Sequence, residues 1–79
     1  MAPATGTENQ GTRSLEQLFT EAIAQHEAGR LNIARPIYEK LRSAVGPNPD
    51  ILHLLGTLYF QQGSPDRGAR LIRQAIILR

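Results

Sequence analysis

The chain has 79 residues, no Cys and a formal charge of +2 from nine Lys/Arg against seven Asp/Glu. That length makes one small domain at most, and the absence of Cys excludes both a disulfide staple and a thiolate metal cage. No run of about 18 apolar residues is present, so no membrane span is expected, and the pI of 9.7 rests on too few charges to signal nucleic acid.

Met1–Arg13 is rich in Ala, Thr, Gly and Pro and has no large apolar side chain apart from Met1. Such a segment cannot bury enough surface to offset its ordering entropy, and it reads as a disordered tail with no secretory h-region. A Cys-free chain without such a leader is expected in the cytoplasm.

The domain is expected over 14–79, with helices at about 14–28, 32–45, 49–62 and 65–78. Ser14 followed by Gln17 forms a capping box, in which each side chain satisfies the other residue's backbone N–H. Leu15, Leu18, Phe19, Ala22 and Ile23 then recur on one helical face, and Gly29 supplies a left-handed cap. In the second helix Ile33, Ala34, Ile37, Tyr38, Leu41, Ala44 and Val45 form a broad apolar stripe opposite Arg35, Glu39, Arg42 and Ser43. Pro36 disfavours helical geometry at Arg35 and predicts an irregular or late start, while Gly46-Pro47 stops the helix.

The third and fourth helices open alike, with Asn48-Pro49-Asp50 and Ser64-Pro65-Asp66. Each has a capping side chain, Pro at the first helical position and an acid that complements the helix dipole. The third helix is apolar nearly all round, through Ile51, Leu52, Leu54, Leu55, Leu58, Tyr59 and Phe60. Its one polar line, His53, Thr57 and Gln61, is expected to be the open side. In the fourth helix Ala69, Ile72 and Ile76 are expected to face the third. Leu71, Ala75 and Leu78 would then form an uncovered flank, with Ile77 among the exposed arginines.

A shift of 34 residues overlays Leu18 on Leu52, Ala22 on Gly56, Gly29 on Gly63, Ala34 on Gly68, Tyr38 on Ile72 and Leu41 on Ala75. Two units follow, 15–48 and 49–79, and a period of this length with two helical halves predicts a stacked helical-hairpin array.

These residues resemble the tetratricopeptide repeat. The second copy carries the pattern best, in Leu52, Leu55-Gly56, Tyr59, Gly63, Gly68, Ile72 and Ala75. The first copy keeps Ala22, Gly29, Ala34, Tyr38 and Leu41 but departs at Glu21 and Gln25, where the family has large apolar or aromatic residues. Asn48–Gly56 and Ala75–Leu78 look like bacterial repeat segments attached to glycosyltransferase, sulfotransferase or methyltransferase domains. The resemblance implies an all-α fold of two tandem helix-turn-helix hairpins, a short right-handed α-solenoid.

It also implies a protein–protein interaction or scaffolding module that binds a peptide or partner protein through a concave face, and that belongs to a larger protein. Carried over position by position, the groove would comprise Glu16, Phe19, Ile23, His26, Glu27, Asp50, His53, Thr57, Phe60 and Gln61. Phe19, Ile23 and Thr57 stand where a carboxylate clamp of this family would need Lys or Asn, so a mixed apolar peptide or a partner helix suits the groove better.

Two alternatives stand beside that reading. The uncapped flank of Leu71, Ala75, Ile77 and Leu78 could join copies into a homo-oligomer, most simply a dimer. Arg67, Arg70 and Arg73 could serve a weak RNA or acidic partner, although no aromatic residues are interleaved for stacking. Neither catalysis, a metal nor a cofactor is expected. The chain offers no Cys, no phosphate loop and no triad spacing, and His26 and His53 fall at opposite ends of parallel helices.

Overall fold

The computed structural model describes residues 14–78; the expected tail at 1–13 lies outside the described residues. Four α-helices account for the fold, with no strand among the described residues: α1 (Leu15–Glu27), α2 (Leu31–Val45), α3 (Pro49–Gln61) and α4 (Pro65–Leu78). The starts of α1 and α3, and those of α2 and α4, are each separated by the 34-residue offset found in the sequence.

Local chemistry sets the helix ends. Gln17 N–H donates to Ser14 Oγ at 3.1 Å and Ser14 N–H donates to Gln17 Oε1 at 3.2 Å, completing the capping box. Asn48 Oδ1 accepts from the backbone N–H of Asp50 and Ile51 at 2.9 and 3.2 Å. Gly29 and Gly63 hold φ of 82° and 84°, and the N–H groups of Arg30 and Ser64 reach back to the carbonyls of Gln25 and Tyr59. One glycine-dependent C-terminal motif thus closes α1 and α3 alike.

Pro36 does not delay α2. The helix begins at Leu31, and the N–H groups of Ile33 and Ala34 both donate to the Arg30 carbonyl. Pro36 lies inside the helix, where it removes only the bond to the Asn32 carbonyl, and the surrounding packing holds the segment helical.

The core is continuous through all four helices. Tyr38, Leu41, Leu52, Leu55 and Leu58 are its fully buried large side chains, joined by Ala22, Ala34, Ile51, Tyr59, Leu71 and Ala75. Burying each large side chain contributes roughly 1.5–3 kcal/mol. Helices adjacent in the chain pack together, most extensively α3 with α4 and α1 with α2, and α4 has no extensive contact with α1.

The α3–α4 contact turns on two glycines. A Cβ added at Gly56 would lie 2.9 Å from the Gly68 carbonyl oxygen, and one at Gly68 would lie 2.7 Å from the Gly56 carbonyl oxygen. Only hydrogen at both positions lets the backbones come this close. This contact fixes the rotation of α4 and corrects the expected faces in part: Ile72 packs toward Gly56 of α3 and Leu78 is exposed, both as expected, but Leu71 and Ala75 lie inside and Ile76 does not. Leu71 and Ala75 follow Gly68 at helical spacing and are buried, whereas Ile76 is exposed. The uncovered apolar surface at the end of α4 is therefore Ile76, Ile77 and Leu78, at 68%, 74% and 47% exposure.

Candidate functional site

The expected groove residues lie along α1 and α3, and two contacts set how those helices sit. Near their N-terminal ends Leu15, Glu16 and Phe19 share a shallow cleft with Asn48, Asp50 and Ile51, floored by Leu41 and edged by Val45. Near their C-terminal ends His26 Nε2 lies 2.6 Å from Gln61 Oε1. The two helices therefore run parallel and side by side.

Of the ten expected groove residues, Glu16, Phe19 and Asp50 meet in the cleft and His26 meets Gln61. Ile23 and Thr57 are half-buried, while Glu27 and His53 are exposed. The Thr57 hydroxyl donates to the His53 carbonyl at 2.9 Å, and of the His53–Thr57–Gln61 line the two ends are exposed. Phe60 is 46% exposed, and one edge of its ring lies over Gly68 of α4, so close that a Cβ there would meet it at 2.7 Å.

His26 is held in one arrangement by its neighbours. Gln61 Oε1 can only accept, so Nε2 carries the hydrogen and Nδ1 accepts from the Tyr38 hydroxyl at 3.0 Å. The two rings meet edge to face, with centroids 5.7 Å apart. Burial, reinforced by the negative charge of Glu27, pushes the Tyr38 hydroxyl up to about 12, so it remains a donor. This three-helix network was not legible from spacing, because its members are 12 and 35 residues apart. The signal that could have found it is a tyrosine at the centre of an apolar stripe, whose hydroxyl needs a partner once buried.

A second network joins α2 to α3. The Tyr59 hydroxyl donates to Glu39 Oε2 at 2.6 Å, and Arg42 approaches the other oxygen of Glu39 at 3.5 Å. Burial, then the bond to Glu39 and its charge, hold the Tyr59 hydroxyl above its ordinary value against the opposing pull of Arg35 and Arg67. Glu39 takes part in this network while its side chain stays 39% exposed, on the polar side that the helical pattern gives it.

Charge is segregated between the helices. α1 and α3 carry Glu16, Glu21, Glu27 and Asp50 with no Lys or Arg, whereas α2 and α4 carry Arg35, Lys40, Arg42, Arg67, Arg70 and Arg73 against Glu39 and Asp66. Among the described residues no cluster of His, Asp and Glu has the geometry to hold a metal, and no helix is long and apolar enough to cross a membrane. Comparison with known proteins finds no matching family model, no matching curated protein and no matching solved structure.

Proposed function

We propose that the chain is an interaction module of the tetratricopeptide type, with repeats 15–48 and 49–79, that holds a segment of a partner protein across the α1/α3 side. The fold reading is supported by helices recurring at a 34-residue offset, by the Gly56–Gly68 close approach, and by the separation of α4 from α1. In a closed four-helix bundle α1 and α4 would share an interface; an open array lacks that closure.

The binding reading rests on one observation: the two helices that run parallel carry acids alone, beside half-buried apolar side chains. Phe19 and Ile23 supply the apolar part, and Glu16 and Asp50 sit at the rim of the cleft. The partner segment that complements this surface is amphipathic, with apolar anchors flanked by Lys or Arg. The module binds and positions; it does not catalyse.

Fluorescence anisotropy with two labelled helical peptides tests this, one of Lys and Leu, the other with Gln in place of Lys. The Lys/Leu peptide binds at least about tenfold more tightly, and Phe19→Ala weakens it by about tenfold, the loss expected of one buried aromatic anchor. Equal affinity for the two peptides, together with no effect of Phe19→Ala, refutes the reading.

Self-association is the second reading, favoured by the exposure of Ile76, Ile77 and Leu78 at the end of α4. Leu71 and Ala75 take no part in it, being buried. Sedimentation velocity gives a concentration-dependent dimer that Ile77→Glu abolishes without loss of helicity. A single monomeric species throughout a concentration series refutes it.

A further inference from the structure

On the α2/α4 side, Arg42, Arg67 and Arg70 surround a cleft of about 270 Å³ completed by Tyr59, Leu71 and Gln74. Tyr59 and Leu71, at 7% and 6% exposure, form its floor. We propose that this cleft is a binding site for a doubly charged oxyanion carried by a partner polypeptide, distinct from the α1/α3 groove.

Three observations support the assignment. First, the guanidinium groups outnumber the acids. Glu39 is engaged by the Tyr59 hydroxyl and by Arg42, and neither Arg67 nor Arg70 forms an ion pair with another described residue. The remaining positive charge matches a dianion, supplied either by a phosphate monoester or by two adjacent carboxylates.

Second, two of the arginines are already held in place. The Arg67 guanidinium lies over the Tyr59 ring, 5.7 Å from its centroid, and Arg42 is steadied by Glu39. A ligand that meets oriented donors loses less ordering entropy on binding than one that must arrange them.

Third, the cleft is built against nucleic acid. A base needs a free aromatic face, yet Arg67 lies over the one aromatic ring in the cleft and Glu39 takes its hydroxyl. The three arginines also line one cleft.

The test uses one labelled peptide in three forms, carrying a serine, a phosphoserine or a Glu-Glu pair at its centre, titrated against the full chain. The phosphoserine form or the Glu-Glu form binds at least about tenfold more tightly than the serine form, and whichever is tighter identifies the source of the oxyanion. Arg70→Glu lowers that affinity by about tenfold or more, whereas Arg73→Glu, exposed on the same helix but outside the cleft, changes it by less than about twofold. Both variants retain the parent melting temperature, and Phe19→Ala leaves oxyanion binding intact even if the α1/α3 groove proves inert. Equal binding of all three forms, equal losses for Arg70→Glu and Arg73→Glu, or displacement of every peptide by a single-stranded RNA oligonucleotide overturns the proposal.

Discussion

Gly56→Val abolishes the native fold, or lowers its stability by at least about 3 kcal/mol, in urea denaturation followed by circular dichroism. The first added carbon already meets Ile72 Cγ1 at 2.7 Å, the Gly68 carbonyl oxygen at 2.9 Å and Leu71 Cβ at 3.3 Å. Ile72 can turn aside, but the Gly68 oxygen is backbone and moves only if α4 moves. The two further methyl groups of valine then force the helices apart, in the largest helix–helix contact of the molecule. Gly56→Ala separates the contributions. It gains about 1 kcal/mol of helix propensity but meets the same carbonyl, and the net result is a smaller loss of about 1–2 kcal/mol. A Gly56→Val chain that unfolds at the parent urea concentration would mean that α3 and α4 are not in backbone contact.

Leu71→Ala costs about 2–4 kcal/mol, whereas Ile76→Ala changes stability by less than about 0.5 kcal/mol. Both substitutions leave a strong helix former in α4, so propensity does not distinguish them. Burial does: Leu71 is 6% exposed within the core and Ile76 is 68% exposed. Truncating Leu71 removes its transfer free energy and leaves a void between α3 and α4. The folded state of a small domain is stable by only about 5–15 kcal/mol, so this one change removes a large share. Equal losses at the two positions, or the reverse order, would restore the face assignment read from the pattern alone.

The different placement of Leu71, Ala75 and Ile76 shows where the sequence was legible and where it was not. Ser14 with Gln17, Asn48 with Pro49, and Gly29 with Gly63 act through chemistry within a few residues, and each could be read directly. The open side of α3 was legible in part: His53 and Gln61 are exposed as the polar line suggests, but Thr57 is half-buried and Phe60 is exposed beside them. In α4 the pattern was ambiguous. Ala69, Leu71, Ile72, Ala75, Ile76, Ile77 and Leu78 surround most of the helix, so periodicity admits two rotations about 100° apart. The deciding residue was Gly68, whose close approach to Gly56 carries Leu71 and Ala75 inward with it.

Pro36 fails to delay the helix for a related reason. Its local preference acts on Arg35 alone, while Ala34, Tyr38 and Leu41 anchor the same helix in the core. In the candidate site, the clustering of Glu16, Phe19 and Asp50 follows from the repeat register. The contact of the Phe60 ring edge with Gly68 does not, since nothing in its own helix reveals that Gly68 leaves room for it.

Among the described residues, side-chain hydrogen bonds of His26 with Gln61, Tyr59 with Glu39, and Gln62 with Asn32 cross the junction between the first pair of helices and the second. Greasy surfaces slide over one another at little cost, but bonds of this kind tolerate only a narrow range of directions. They act as pins through a hinge, locking the angle at which one half meets the other. The angle between the two halves is therefore set by the chain's own side chains.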